Sequence, residues 1–336
     1  MYSLRKGTSW GKKNKVSVIT KKVVLILGAG ASMPFGFPSG SDLKDRIVKN
    51  LTTIPDVLLD AECNENVIRD FREALRTSGK KSVDSFLEHR KEFGEIGKRA
   101  IAHELLKNEA AAESGLFDDS NWYGYLFDKL NTRFEEFSQN KVSILTFNYD
   151  RSLEYYLLTA LQSSYGKTLL QCAEGLRSIP IIHLYGQLGE LWEEAQSENS
   201  VPFGGVRDAN EYKQQLALKI AASRIRIIHD NHLGEQFDLA HKLLEEAEMV
   251  CFLGFGYDTT NLARIAQYDP PNVQQIIGSA MRITERECAI IYAMFAKLRL
   301  PCQPPLLGSG GRNRPGALDT TNGEALTFLR HHCPFD

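Results

Sequence analysis

Val23–Val24–Leu25–Ile26–Leu27–Gly28–Ala29–Gly30–Ala31–Ser32 is the stretch that decides how this chain folds. Its first five residues are apolar without a break and rich in β-branched side chains. A strand buried on both faces reads this way, and such strands belong to parallel sheets. The glycines that follow let the backbone turn tightly and bring N–H groups close to a phosphate, helped by the field of a helix N-terminus. Taken alone, the turn fits either a phosphate site or a tight strand-to-helix connection with no ligand. The full dinucleotide fingerprint requires glycine at position 33, where Met33 stands, and no strand-end acid for an adenosine ribose follows about twenty residues on.

Further strands are expected at Val142–Phe147, Ile179–Leu184, Ile225–Ile228, Met249–Leu253 and Val273–Ile277, with helices through Leu153–Leu161, Phe237–Glu248 and Glu285–Leu298. Strands alternating with helices give a parallel sheet. The fold class expected is therefore α/β: a Rossmann-like parallel sheet flanked by helices. Residues 43–140 have mostly helical spacing and read as an insertion between the first two strands, its first helix capped by Ser41 or Asp42. Residues 186–210 read as loop. The organisation expected is a basic arm at 1–22, a Rossmann domain at 23–300 and an irregular tail at 301–336, where proline and glycine are frequent.

The composition, 43% hydrophobic and 24% charged, is that of a globular chain rather than a disordered one. A net charge of −2 argues against direct nucleic-acid binding as the main task, although residues 1–22 carry seven lysines and arginines and no acid. No apolar run approaches the ~18 residues of a membrane span, so no membrane association is expected. The six cysteines, Cys63, Cys172, Cys251, Cys288, Cys302 and Cys333, form no C-x-x-C pair. Neither structural zinc nor a disulfide framework is expected, and scattered thiols suit the cytoplasm.

Several expected strands end in Gly, Asn, Asp or His, and in open α/β sheets the ligand crevice lies beyond those carboxyl ends. The polar residues there are expected to converge. Asn148 can both donate and accept. Asp150 could hold an amide or favour a cation. His183 titrates near neutral pH and could take a proton. Each has a plainer reading: Asn148 and Asp150 as an Asx turn and a helix cap, His183 as a satisfied structural histidine. Asp84 reads as a helix-surface or capping acid, and His229, His232 and His241 as solvated.

Four segments in this order, Gly28–Ser32 with Gly36–Phe37–Pro38, Thr146–Phe147–Asn148–Tyr149–Asp150, His183–Leu184–Tyr185–Gly186 and Gly254–Phe255–Gly256, resemble the sirtuin (SIR2-like) superfamily. Ser82–Val83–Asp84–Ser85–Phe86–Leu87 is similar to a segment of its bacterial members. The four-cysteine zinc module of the deacylases is absent, as is their Phe-Arg pair, and Leu184–Tyr185 interrupts their His-Gly. The resemblance is thus to NAD-degrading bacterial proteins of antiphage defence. It implies an NAD glycohydrolase with NAD as substrate and no metal, releasing nicotinamide and ADP-ribose. It also implies Asn148 and His183, with Asp150, as catalytic residues, and Gly28, Ala29, Gly30, Ser32, Pro38, Gly254 and Gly256 as the cofactor-binding set. An enzyme of this kind needs restraint, so a regulatory partner protein or a homo-oligomer is expected. The alternatives are a nucleotide-binding regulatory or scaffold subunit without turnover, and an NAD-dependent protein deacylase.

Overall fold

The computed structural model describes residues 18–118, 121–191, 200–207, 209–227, 234–265, 272–281, 283–297, 318–320, 324–332 and 334–335. Its centre is a six-stranded parallel sheet: β1 Val23–Leu27, β2 Val142–Thr146, β3 Ile181–His183, β4 Met249–Leu253, β5 Gln275–Ser279 and β6 Leu318–Asp319. The spatial order is β3-β2-β1-β4-β5-β6, with every neighbouring pair parallel. This is the doubly wound Rossmann order, whose winding reverses between β1 and β4.

β1 shows why the opening stretch is so apolar. It is bonded to β2 on one side and β4 on the other, and all five of its residues are buried. Successive side chains leave on opposite faces of the sheet. Val23, Leu25 and Leu27 join a core with the helical insertion, whereas Val24 and Ile26 join a second core formed with the later helices. No position on this strand faces water.

The insertion lies between β1 and β2, as expected. It comprises α1 Gly40–Asn50, α2 Glu65–Thr77, α3 Val83–Leu87, α4 Gly94–Ala112 and α5 Trp122–Leu130. Ser39, rather than Ser41 or Asp42, is the N-cap of α1: its hydroxyl accepts from the Asp42 N–H at 3.2 Å, and Asp42 reaches back to the Ser39 N–H at 3.3 Å. α6 Ser152–Tyr165 and α7 Leu169–Arg177 then lead into β3.

Three expectations need correction. Residues 211–224 form α8 Glu211–Arg224, and the strand expected at Ile225–Ile228 is reduced to one antiparallel bridge between Ile225 and Gly186, Ile228 lying outside the described residues. Ile225 is the C-cap of α8, and its buried side chain is what made the segment look like a strand. The chain continues through α9 Glu235–Glu246, α10 Thr259–Ile265 and α11 Glu285–Lys297. The tail is not irregular throughout: it contributes β6 and α12 Ala325–His332, whose Phe328 and Leu329 are fully buried. Finally, the arm ends sooner than residue 22. The Ile19 side chain is buried, its N–H donates to Asn140 Oδ1 at 2.9 Å, and Lys22 Nζ pairs with Glu246 at 2.9 Å. Residues 1–17 of the expected arm lie outside the described residues.

A buried ion pair ties the insertion to the sheet. Arg151, before α6, donates to Glu109 of α4 at 2.5 Å, and to the Val201 and Pro202 carbonyls at 2.5 and 3.1 Å. Glu109 also accepts from the N–H groups of Arg151 and Gly204, each at 3.0 Å. Both side chains are essentially inaccessible, and both have partners enough to compensate their desolvation.

Candidate functional site

The reversal between β1 and β4 brings two glycine loops together. Gly28 N–H donates to the Leu253 carbonyl at 3.0 Å and Gly30 N–H to the Gly254 carbonyl at 2.9 Å. A Cβ on Gly28 or Gly30 would come within 2.8 Å of Gly254 backbone atoms, and one on Gly254 would lie 2.0 Å from the Ala31 nitrogen. Gly254 also has φ +57°, the left-handed region that favours glycine. The first requirement for glycine here is therefore this backbone-on-backbone crossing. The N–H groups of Gly28, Gly30, Ala31 and Ser32 all bond within the protein.

Over the crossing opens a cleft of about 1190 Å³. Ala29, Gly30, Gly254 and Gly256 line it, together with Ser39, Ser41, Asp42 and Trp122 from the insertion, and Ser279 at the end of β5. Glu324, Ala325 and Leu326 line it from the tail, a wall that an irregular tail would not supply. Of the seven residues expected to hold the cofactor, Gly28, Ser32 and Pro38 are buried behind this wall rather than on it.

The expected catalytic residues do converge. Asn148 Nδ2 donates to the Gly28 carbonyl and to Ser32 Oγ, each at 3.0 Å, which joins the end of β2 to the glycine turn. Both amide hydrogens are then in use, and among the described residues Oδ1 has no protein donor. The Asn148 main-chain carbonyl accepts from His183 Nδ1 at 2.7 Å. Asn148, Asp150 and His183 are not on the wall of the large cleft; His183 instead lines a 310 Å³ cavity on the outer side of β3, with Gln187 and Arg226.

His183 is bonded at both nitrogens. Nε2 lies 2.5 Å from Glu154 Oε1, and both side chains are buried. Burial alone would lower the histidine pKa, but the neighbouring Glu154 carboxylate, helped by the Asn148 carbonyl, outweighs it and the net shift is upward. An acceptor at each nitrogen is the arrangement that suits an imidazolium. Both nitrogens are engaged in this arrangement, so the general-base role expected from the sequence would require one of these bonds to open.

Asp150 is also buried. Desolvation pushes its carboxyl up to about 6, although the Ser152 hydroxyl donates to it and the Ser32 hydroxyl faces it. The Tyr123 hydroxyl is 2.7 Å from Ser152 Oγ, extending this polar network into α5. Asp150 is buried rather than at an open surface; Arg151 occupies the N-cap position of α6 without a side-chain cap bond, and Asp150 Oδ1 accepts from the Ser152 N–H at 3.3 Å, an Asx-type contact.

Asp84 is more than a surface acid: the Tyr149 hydroxyl donates to it, next to Asn148. Its neighbour Glu88 is 3.5 Å from Arg264 of α10, which also donates to the Tyr185 hydroxyl at 2.6 Å. His241 is buried, with Nε2 donating to the Arg264 carbonyl at 2.9 Å, rather than solvated. His229 and His232 lie outside the described residues. Glu154 escaped sequence reasoning; its only signal is a spacing of one helical turn from Asp150.

Fold and cleft together define the class: a Rossmann-type α/β protein with a crevice at the point where its winding reverses. No family model matches the chain, and the curated proteins compared with it give no match. No helix among the described residues is long and apolar enough to cross a membrane.

Proposed function

We propose that this chain binds NAD in the 1190 Å³ cleft and hydrolyses its nicotinamide–ribose bond. The observation that supports this reading best is the position of Asn148, whose side chain is fixed on the glycine turn while its main chain is fixed by His183. Motifs more than a hundred residues apart thus meet beside a crevice large enough for a dinucleotide.

The chemistry asks little of acids and bases. The nicotinamide leaves as a neutral molecule, and the ribose passes through an oxocarbenium-like cation. What lowers the barrier is fixed geometry and acceptor groups near the developing charge. Asn148 Oδ1, left over once both amide hydrogens are bonded, would accept from a ribose hydroxyl or from the attacking water. The cation is electrophilic enough for neutral water to add and release its proton to solvent. A bonded imidazolium at His183 is compatible with that route, because no base has to be supplied from the ring. The balance is NAD plus water giving nicotinamide, ADP-ribose and a proton.

One observation favours a second reading, nucleotide binding without turnover. Both nitrogens of His183 are engaged, and the three expected catalytic residues stand back from the cleft wall. Nicotinamide release, followed by chromatography, and NAD binding, followed by calorimetry, separate the two. Release that disappears in Asn148→Ala, with the far-UV spectrum unchanged, is the expected result. Binding without release would establish the second reading, and failure of both would remove NAD from consideration.

A further inference from the structure

Glu154 lies on the first turn of α6, and its buried carboxylate is 2.5 Å from His183 Nε2. The opposite nitrogen of the same ring donates to the Asn148 carbonyl at 2.7 Å, and the Asn148 amide continues to Gly28 and Ser32. The bonds form one continuous path from α6, through the end of β3 and the loop after β2, to two points of the glycine turn. We propose that Glu154 is the positioning residue of this site: by holding the His183 ring with Nδ1–H on the Asn148 carbonyl, it sets where the Asn148 amide stands. The consequence for turnover rests on the hydrolase reading above; the positioning itself does not.

Two features set this pair apart from core filling. A buried charge pair is costly to desolvate, and an apolar pair of similar volume would stabilise the fold at least as well. The two residues also border space rather than tight packing. Glu154 lines a cavity of about 280 Å³ with Arg151 and Arg177, and His183 lines the 310 Å³ cavity. Gln187 and Glu190 border both cavities. The pair thus stands between two pockets on the β3 side of the sheet, away from the residues that line the large cleft.

Among the described residues the ring has no further hydrogen-bond partner. It is faced by Glu154 from α6 and, from the loop after β2, by the Asn148 carbonyl and the Asp150 carboxyl. Glu109, the next acid, acts on Asp150 and is itself held by Arg151. Without the carboxylate at 154, Nε2 loses its partner and the ring is held from one end only, by the Asn148 carbonyl, which favours Nδ1–H. A glutamine at 154 can donate its amide N–H to Nε2 and so retain the Nδ1–H tautomer without the charge.

The test uses the full chain labelled with ¹⁵N-histidine, with the His183 resonances assigned by their loss in His183→Asn. In the unsubstituted protein His183 should stay charged above the usual histidine range. In Glu154→Gln its midpoint should fall by about one to three pH units while the ring stays in the Nδ1–H form. In Glu154→Ala the midpoint should fall likewise, and the Nδ1 proton should exchange with water faster than in Glu154→Gln, because the Asn148 carbonyl alone then holds the ring. For nicotinamide release, Glu154→Ala should lose about 10²-fold in kcat with little change in KM for NAD, and Glu154→Gln should recover most of that loss. An unchanged His183 midpoint in Glu154→Gln, or Nδ1-proton exchange in Glu154→Ala no faster than in Glu154→Gln, would overturn the proposal. If the unsubstituted protein releases no nicotinamide, the hydrolase reading fails while the imidazole spectra still decide the role of Glu154. Should Glu154→Ala not fold, the Glu154→Gln titration decides alone.

Discussion

Replacing Asp150 with asparagine should make the stability difference between the two proteins depend strongly on pH. The carboxyl is buried, and desolvation raises it from the ordinary 3.8 to about 6. An acid raised on folding binds its proton more tightly in the native state, so stability falls as pH rises from about 4 to about 6 and stays low above that window. The difference of about two pH units corresponds to about 3 kcal/mol. Asparagine has no charge to desolvate. Its different hydrogen-bonding pattern adds a constant offset, but that offset does not vary with pH. Urea denaturation at pH 4.0, 5.0, 6.0 and 7.0 gives the unfolding free energy of each protein. Subtracting one series from the other removes the groups common to both that do not interact with residue 150. Part of the effect is already present at pH 4, so the difference should move by about 2.4 kcal/mol in favour of Asp150→Asn between pH 4 and pH 7. A difference that is flat across the series would refute the reasoning, because it would mean that the carboxyl ionises as easily in the folded protein as in the unfolded chain.

Removing one partner of the Arg151–Glu109 pair leaves the other charge buried, so Glu109→Ala should lower the urea-derived stability by about 3–5 kcal/mol; a loss under 1 kcal/mol would show that water reaches Arg151. Gly254→Ala meets both a left-handed backbone and the Ala31 nitrogen, with a conformational cost of about 1–2 kcal/mol before any clash; calorimetry should find NAD binding lost, and retained affinity would separate the crossing from the cleft. Ser39→Ala removes the cap of α1 at the cleft edge and should cost about 1 kcal/mol by the same urea assay, whereas Ser41→Ala should cost little. Trp122 lines the cleft, so NAD should change the intrinsic fluorescence, and Trp122→Phe should abolish that change.

β1 and β4 were readable to the residue because each is buried on both faces, so nothing polar interrupts Val23–Leu27 or Met249–Leu253. β3 is an edge strand of three residues, and the apolar run Ile179–Leu184 overstates it. α8 was hidden for the opposite reason. Tyr212 and Leu216, one turn apart, are both exposed, while Ala217, Leu218, Ala221 and Ala222 are buried, so small residues rather than a large apolar stripe mark its inner face. In the tail, β6 is only two residues long and carries no periodic signal. The meeting of Asn148, Asp150 and His183 was legible because polar residues at the carboxyl ends of parallel strands must share one edge of the sheet. Which of them faces open space was not, since that depends on neighbours such as Ser32, Ser152 and Glu154, which sequence spacing alone does not distinguish from ordinary helix and turn residues.

The crossing of the two glycine loops has a consequence for how this protein can evolve. A methyl group on any one of Gly28, Gly30 or Gly254 collides with main chain, not with a side chain that could shrink in compensation. No single neighbouring substitution can make room, so descendants can diversify this floor only by re-routing a whole loop. Adaptation to a new cargo is left to the opposite walls, where Ser39, Ser41, Asp42, Glu324 and Leu326 project from elements that can change one residue at a time.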